Sequence, residues 1–272
     1  MKISVIIPTY KPREYLCECL DSLEKQTFPK SDFEIVLVLN GCEEPYKTQI
    51  QSYIDSHKVL NIKFLHILQG GVSNARNMAL DVVCGEYVAF IDDDDLISPT
   101  YLERLYDIID TNTVALCYPY AFDDGHLNKQ LSYHITDVYE TCSTKKHNKI
   151  SSKVRKYFSG PCMKLIPMGI IQERRFDVRF KNGEDTLFMF LISDRIKNIQ
   201  FTSRDAVYYR RNRNNSAVNR KRKLFDVIFS NLLQIWTYIK YYIKSPFKYN
   251  LLFLNSRIGG ALYAIVNRTF KS

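Results

Sequence analysis

Short apolar runs alternate with amphipathic segments over the first 120 residues of the chain. The apolar runs are KISVIIP, FEIVLVL, IKFLHIL and EYVAFID, and the segments between them include EYLCECLDSLEKQ, PYKTQIQSYID and VSNARNMALDVV. Continuous runs of Val, Ile, Leu and Phe are typical of parallel strands whose two faces are covered by helices. The alternation therefore predicts a doubly wound, mostly parallel α/β sheet.

This pattern changes after residue 120. Residues 123–157 are polar, with a basic cluster at 145–149, and predict a loop region. A second structured block starts near Phe158 and contains the helix-like EDTLFMFLISDRI and the strand-like AVYYR. From residue 216 the chain is typical of helices rich in Tyr, Phe and Lys. We therefore predict a main domain over 1–215, with halves of about 1–120 and 121–215, and a helical extension over 216–272.

Positive charge is concentrated at the end of the chain. The formal net charge is +9, and residues 204–272 hold fourteen Lys or Arg against two acids, Asp205 and Asp226. Such an imbalance favours acidic partners: phosphates, anionic lipid or nucleic acid. Lysines and arginines interrupt the apolar stretches of the extension, which favours helices that lie on an anionic membrane over a membrane span. A helical lid or a dimer contact remains the alternative.

The N-terminus and the cysteines bear on the compartment. The apolar run before Pro8 is too short for a secretory leader or a membrane span. Seven cysteines, with no CxxC pair, predict reduced thiols without a metal or redox role. Both observations favour a cytoplasmic protein, held peripherally on the inner membrane face.

Four consecutive aspartates follow the apolar run EYVAFI, at Asp92, Asp93, Asp94 and Asp95. Like charges this close repel one another, and a divalent cation relieves the repulsion. Mg²⁺ or Mn²⁺ typically takes one or two carboxylates and completes its shell with substrate phosphate oxygens. The run therefore predicts a metal site at the carboxyl end of a strand, where α/β sheets bind ligands. A solvated acidic turn is the alternative.

Several motifs together resemble the family-two glycosyltransferases of the GT-A fold, over roughly residues 2–216. They are SVIIPTY, a following helix with Leu20, Leu23 and Gln26-Thr27, and the stretch GGVSNARNMALDVVCGEYVAFIDDDD. The resemblance implies a metal-dependent, inverting transfer of sugar from a nucleotide sugar to a hydroxyl of a glycan or lipid-linked acceptor, as in bacterial surface polysaccharides. Residues 1–120 would form the nucleotide-sugar half and 121–215 the acceptor half.

The resemblance also implies a donor site. Asp94 would bind the metal together with Asp92, and Asp92 or Asp93 would face the ribose or a metal-bound water. The residues implied to bind the nucleotide sugar are Pro8, Thr9, Tyr10, Asn40, Arg76, Asp92, Asp93 and Arg210. Asn40 departs from the family, which has an aspartate there; its amide oxygen can still accept from uracil N3, so UDP remains the favoured carrier. A surface position on the helix is the alternative for Arg76.

The acceptor side depends on FKNGEDTLFMF, which resembles the family's ED motif. By that resemblance Asp185 is the catalytic base, and Glu184 orients the acceptor or supports the fold. A carboxylate at a helix N-terminus stays ionised more easily, as a base requires. PCMKLIPMGII matches the family at Lys164 and Leu165, where Lys164 is either near acceptor or phosphate or a surface lysine. Arg210 or Arg213 would reach the leaving diphosphate.

Two other functions stay open. A sugar-phosphate nucleotidyltransferase also places metal-binding aspartates on an α/β sheet, although the Gly-rich phosphate loop usual in that class is missing from this N-terminus. A non-catalytic basic protein that binds membrane or nucleic acid would use the extension, although a nucleic-acid partner is not expected here. The sequence leaves the oligomeric state, the sugar and the linkage open.

Overall fold

The computed structural model describes residues 1–144, 150–151, 153–213 and 224–270. The strands are β1 (Ile3–Thr9), β2 (Phe33–Asn40), β3 (Ile62–Ile67), β4 (Tyr87–Phe90), β5 (Leu96–Ile97), β6 (Thr113–Leu116), β7 (Tyr118–Asp123), β8 (Gln130–Leu131), β9 (Lys164–Pro167), β10 (Asn198–Phe201) and β11 (Val207–Asn212). The helices are α1 (Glu14–Glu24), α2 (Tyr46–Ser56), α3 (Val72–Leu80), α4 (Tyr101–Ile108), α5 (His134–Cys142), α6 (Met168–Ile171), α7 (Glu184–Ile192), α8 (Leu224–Lys244) and α9 (Leu251–Phe270).

The central sheet has the strand order β10-β6-β9-β4-β1-β2-β3 in the described ranges. Its strands pair in parallel except β9, which runs antiparallel to both neighbours, β4 and β6. Every residue of β1 and β2 is buried, because helices pack on both faces of the sheet. The predicted α/β class with a mostly parallel sheet is confirmed.

A smaller sheet brings the end of the main domain back to the first half. It has the order β5-β11-β7-β8. Strand β11 pairs antiparallel with β5, where Tyr208 faces Ile97 and Tyr209 faces Leu96. Because β5 directly follows the four aspartates, this register places residues just after Tyr209 beside the acidic run.

The prediction of a loop over residues 123–157 is wrong in part. This stretch contains β8, α5 and a 3₁₀ turn that begins at Val154. Helix α5 buries Ile135, Val138, Tyr139 and Cys142, which share one face through i, i+3, i+4, i+7 spacing. The amphipathic pattern is therefore present, but it spans only nine residues and polar neighbours obscure it. The basic cluster at 145–149 lies outside the described residues.

The extension contains the expected helices. α8 and α9 pack against each other and against α7. The predicted boundary between domain and extension, at 215–216, lies outside the described residues. Among the helices of the described ranges, none combines the length and the apolar character that crossing a bilayer requires.

Gly85 provides a test of the packing between β1 and β4. A methyl group on Gly85 would lie 2.5 Å from the backbone nitrogen of Ser4 and 2.7 Å from the carbonyl carbon of Ile3. Neither backbone atom can rotate away, so Gly85→Ala should lower the free energy of unfolding by about 1–3 kcal/mol. Urea denaturation measures the change.

The matched control is Gly169→Ala, because nothing lies within 4 Å of a methyl group at that position. It should change the free energy of unfolding by less than about 0.5 kcal/mol. Equal urea midpoints for the two variants would contradict the close approach of Gly85 to β1.

Candidate active site

The four aspartates form a tight turn at the carboxyl end of β4. The backbone N–H of Asp95 donates to the carbonyl oxygen of Asp92 over 3.1 Å, which closes the turn. The parallel strands β1 and β2 end at the same edge with Thr9 and Asn40. The acidic turn therefore lies in the crevice where open α/β sheets bind their ligands.

The carboxylates of this turn differ in their surroundings. The Thr9 hydroxyl donates to Asp93 over 2.5 Å, and Arg213 pairs with Asp94 over 2.5 Å. Burial raises the pKa of Asp93 to about 7, against the Thr9 hydrogen bond. Burial and the charge of Asp92 also raise the pKa of Asp94, while Arg213 opposes the shift. The turn therefore holds more negative charge than its neighbours compensate.

Arg211 is the arginine that β11 brings deepest into this region. Its backbone N–H donates to Asp95 over 2.8 Å, and its Nε donates to the carbonyl oxygen of Asp94 over 2.9 Å. The remaining guanidinium nitrogens pair with Asp124, over 2.7 Å, and with Glu18. Arg211 thus ties the acidic turn to α1 and to the end of β7.

No pattern in the sequence distinguishes Arg211 from its neighbours. Arg210 instead lies over the ring of Tyr133, with 5.3 Å between the guanidinium carbon and the ring centroid. The run Tyr208-Tyr209-Arg210-Arg211 lacks the apolar–polar alternation that marks the inward face of a strand. Only the pairing of β11 with β5 distinguishes these two arginines.

Arg76 joins the acidic turn to the start of α7. Its guanidinium donates to Asp185 over 2.6 Å and to Asp92 over 2.9 Å. The side chain is only 4% exposed, so the alternative of a surface arginine is wrong. Its guanidinium carbon lies 5.3 Å from the centroid of the Phe176 ring. One buried cation therefore connects two carboxylates that are 93 positions apart in the sequence.

Asp185 lies in the first turn of α7, after Gly183, whose φ of +81° starts the helix. Burial raises the pKa of Asp185, and the charge of Arg76 partly opposes this. The Asp185 side chain remains 31% exposed, so its carboxylate can be reached from the crevice. Glu184, the neighbouring residue, is buried. A partly exposed carboxylate beside a buried cation can accept a proton from a bound hydroxyl.

The pocket predicted for the nucleotide base is built around Asn40. The Asn40 amide nitrogen donates to the carbonyl oxygen of Thr9 over 2.7 Å, and its oxygen accepts from the backbone N–H of Gly71 over 2.8 Å. The amide thereby joins the ends of β1 and β2 to the start of α3. An aspartate could accept from Gly71 but could not donate to Thr9. Pro8 and Thr9 are buried here, whereas Tyr10 is 52% exposed.

Lys164 is fully buried, so its interpretation as a surface lysine is wrong. Its ammonium group donates to the carbonyl oxygens of Gly160, over 2.7 Å, and Cys162, over 2.5 Å. Burial lowers the pKa of Lys164 to about 8. Leu165 is buried in the central sheet beside it. Lys164 thus supports the chain segment that passes behind Asp185.

The acidic turn fits a hard divalent cation. Asp92 and Asp94 offer carboxylate oxygens, the ligand type that Mg²⁺ and Mn²⁺ prefer, and in the described residues these carboxylates pair with Arg76 and Arg213. Elsewhere in the described residues, Asp21, Glu24 and His57 place ligand atoms within 4.8 Å of one another. That cluster is on the outer side of α1, away from the sheet edge, so the acidic turn is the better candidate for a metal beside a diphosphate.

Comparison with known proteins now identifies the family. Residues 4–174 match the family described as Glycosyl transferase family 2. That match covers well over half of the chain. The protein therefore belongs to Glycosyl transferase family 2.

Individual relatives agree with this assignment. The poly(ribitol-phosphate) beta-N-acetylglucosaminyltransferase TarS of Staphylococcus aureus is 40% identical over 110 residues, which cover 40% of this chain and 19% of the relative. The chain spans about a fifth of the length of the first curated relatives that it matches.

Solved structures share the fold. S. aureus TarS 1-349 in complex with UDP-GlcNAc aligns with a TM-score of 0.71 at 26% identity, covering 88% of this chain and 67% of that one. The mannosyltransferase PcManGT of Pyrobaculum calidifontis, in complex with GDP-Man and Mn²⁺, aligns with a TM-score of 0.62 at 17% identity, covering 100% of this chain and 76% of that one. The latter likeness shows the fold alone.

The two adjacent arginines of β11 provide a matched test. Arg211→Met leaves Glu18 and Asp124 without their buried cation and should lower the free energy of unfolding by about 2–3 kcal/mol, since both acids can partly rehydrate. Arg210→Met loses a ring contact and should cost less than about 1 kcal/mol. Urea denaturation of both variants measures the difference. Equal costs would mean that the ion pairs of Arg211 do not stabilise the fold.

The burial of Lys164 predicts that the free energy of unfolding depends on pH. Burial lowers the pKa of Lys164 from its ordinary value of 10.5 to about 8, so between these two pH values the unfolded chain keeps a proton that the folded protein releases. The contribution of Lys164 to the free energy of unfolding therefore rises with pH. The free energy of unfolding of the native protein, minus that of Lys164→Met, should increase by about 2 kcal/mol from pH 7 to pH 9.5 in urea titrations.

Lys63→Met is the control for this measurement. Lys63 is exposed and also donates to a backbone carbonyl, that of Val82. Because Lys63→Met keeps Lys164, the stability of this variant should rise with pH as that of the native protein does. A pH-independent difference for Lys164→Met as well would contradict the burial of the ammonium group.

Proposed function

We propose that this protein is an inverting glycosyltransferase that moves a sugar from a nucleotide sugar to a hydroxyl of a glycan or lipid-linked acceptor in bacterial surface polysaccharide synthesis. The observation that carries the proposal is the pairing of one guanidinium, Arg76, with both Asp92 and Asp185. It brings the carboxylates of the donor side and the acceptor side to one crevice at the edge of the sheet. Membership in Glycosyl transferase family 2 supports the same reaction class.

The reaction is a single displacement. Asp185 takes the proton of the acceptor hydroxyl while that oxygen forms a bond to the anomeric carbon. The bond from this carbon to the diphosphate oxygen breaks, and its electron pair leaves with the nucleoside diphosphate. Because attack comes from the face opposite the leaving group, the configuration inverts. Arg76 keeps Asp185 in place, and its positive charge helps the carboxylate stay ionised until the hydroxyl arrives.

Asp94 and Asp92 would hold Mn²⁺ or Mg²⁺. Bound there, the metal supplies positive charge to the diphosphate as it leaves. Arg213, which pairs with Asp94, would contact the same phosphates. Glu184 adjoins the base and would orient the acceptor or support the start of α7. The other residues assigned to nucleotide-sugar binding are Pro8, Thr9, Tyr10, Asn40, Arg76, Asp93 and Arg210.

UDP is the proposed carrier. The Asn40 oxygen accepts one hydrogen bond from Gly71 and has a second lone pair available for uracil N3–H. The exposed ring of Tyr10 lies against Gly41, the residue after Asn40, where a methyl group would be 2.7 Å from the ring, and it would cover the nucleotide base. The solved complex of TarS 1-349 with UDP-GlcNAc, a structure of the same fold, supports this choice of carrier.

The extension would bring the enzyme to its acceptor through peripheral contact with an anionic membrane. Its helices carry exposed apolar residues and lysines, the combination that suits a membrane surface. This contact would place the protein in the cytoplasm at the inner membrane face, where a lipid-linked acceptor is available.

The test is release of nucleoside diphosphate from a panel of UDP-, GDP- and dTDP-sugars, with membrane extract as the acceptor source and with Mn²⁺ or EDTA. The native protein should release UDP, and EDTA should abolish the release. Asp185→Asn and Asp94→Asn should each lower the rate by at least about 100-fold, since they remove the base and the metal ligand.

The matched control is Asp55→Asn, on an exposed face of α2, which should retain the native rate. Pyrophosphate as the product would instead identify a nucleotidyltransferase. Failure of every donor to turn over or to bind with metal present would refute the catalytic proposal and favour a non-catalytic binding protein.

A further inference from the structure

Helix α8 exposes several bulky apolar side chains. Its buried side chains are Gln234, Thr237 and Tyr238, each with a polar atom. Its five most exposed apolar side chains form what we call the outer stripe, which consists of Phe225, Phe229, Leu232, Trp236 and Ile243. Their spacings of four, three, four and seven residues place them on one face of the helix. Leu233 and Tyr242 pack against the core from the inner side, so α8 is apolar on both sides and leaves the outer stripe uncovered.

The exposure of the outer stripe is large for bulky apolar groups. Phe225 is 75% exposed, Trp236 62% and Ile243 69%. Phe247, three residues beyond the end of α8, is 93% exposed. Contiguous exposed apolar surface of this kind marks a binding surface for protein or membrane.

The charges near the outer stripe decide between these two occupants. Lys240 lies on the same face, between Trp236 and Ile243, and Lys244 and Lys248 follow at its end; all three lysines are exposed. From residue 220 onward the sequence contains ten Lys or Arg and one acid, Asp226. A second copy of the chain would oppose lysine to lysine with almost no acid to pair them. Anionic headgroups match both the lysines and the ring of tryptophan.

We propose that α8 lies parallel to the membrane surface, with the outer stripe in the headgroup region of an anionic lipid leaflet. This inference rests on the proposed membrane contact of the extension and names the surface that makes it. Trp236 and the phenylalanines would enter the boundary between headgroups and acyl chains, while Lys240 and Lys244 would meet the anionic headgroups.

The inner face of α8 connects this surface to the proposed base. Gln234 donates to the carbonyl oxygen of Asn182 over 3.3 Å, and the Tyr238 hydroxyl donates to Thr186 over 3.1 Å. Gly183 leaves room for the Gln234 amide, since a methyl group there would lie 1.7 Å from its nitrogen. Helix α8 therefore packs on the turn that starts α7. Once the outer stripe is on the leaflet, the width of α8, about 10 Å, separates the leaflet from the turn that starts α7.

Vesicle flotation tests the proposal without any sugar donor. The native protein should float with vesicles of 70% phosphatidylcholine and 30% phosphatidylglycerol, with at least tenfold weaker partition to pure phosphatidylcholine. The triple variant Phe229→Gln, Trp236→Gln, Ile243→Gln should lose at least tenfold in partition to the mixed vesicles. The replaced side chains are exposed, so circular dichroism melting should show an unchanged fold.

The matched control replaces three exposed apolar residues outside the extension: Val59→Gln, Leu127→Gln, Val178→Gln. It should float like the native protein. The proposal is overturned if the native protein does not float, or if the outer-stripe variant floats equally well. It is also overturned if sedimentation shows that the native protein is a dimer and the outer-stripe variant a monomer, since a second copy would then occupy the surface.

The outcome of the flotation experiment does not depend on whether the proposed reaction takes place. Flotation requires no turnover, and release of nucleoside diphosphate with a water-soluble glycan acceptor requires no membrane. If the native protein floats but releases nucleoside diphosphate from no donor, the membrane contact of the outer stripe is supported and the transferase proposal is refuted. If it releases nucleoside diphosphate but does not float, the transferase proposal is supported and the membrane contact is refuted.

Discussion

The need to neutralise acidic charge at the edge of the central sheet shapes this molecule. Parallel strands bring the acidic turn to that edge, and Asp185 approaches it from α7. Arg76 supplies the buried cation between them, although its Nε has no hydrogen-bond partner in the described residues. Burying a guanidinium is costly unless its charge is matched. The ion pairs of Arg76 with the carboxylates of the crevice therefore also hold distant parts of the chain together.

The small sheet completes this arrangement because it returns the end of the main domain to the acidic turn. Pairing of β11 with β5 brings Arg211 to Asp95, and the next residues carry Arg213 to Asp94. The Tyr208 hydroxyl also accepts the backbone N–H of Asp92. The donor side thus receives its positive charge from two places, the helix α3 and the strand β11. A metal and a diphosphate would enter a site in which neighbouring groups are already oriented, the preorganisation that favours catalysis of charge-separating steps.

Local patterns predicted those parts of the molecule that depend on local sequence. Buried parallel strands are continuous apolar runs, so β1 to β4 and the acidic turn could be placed from the sequence. The choice of Arg211 over Arg210, the burial of Lys164 and the two backbone partners of Asn40 depend on contacts between distant segments, which periodicity does not contain. Helix α5 is a different case: its spacing of buried residues was visible, but nine residues among polar neighbours gave too weak a signal.

The polar contacts on the inner face of α8 follow from what it packs against. Gln234 donates to the carbonyl oxygen of Asn182, just before α7, and Tyr238 donates to the Thr186 hydroxyl in its first turn. Apolar side chains at these two positions would remove both donors from groups that α8 covers. These contacts fix which side of α8 faces the protein and leave Phe225, Phe229, Trp236 and Ile243 on the opposite side. The hydrogen bonds that hold α8 on the start of the helix that carries Asp185, the proposed base, therefore also orient the apolar surface proposed to meet the membrane.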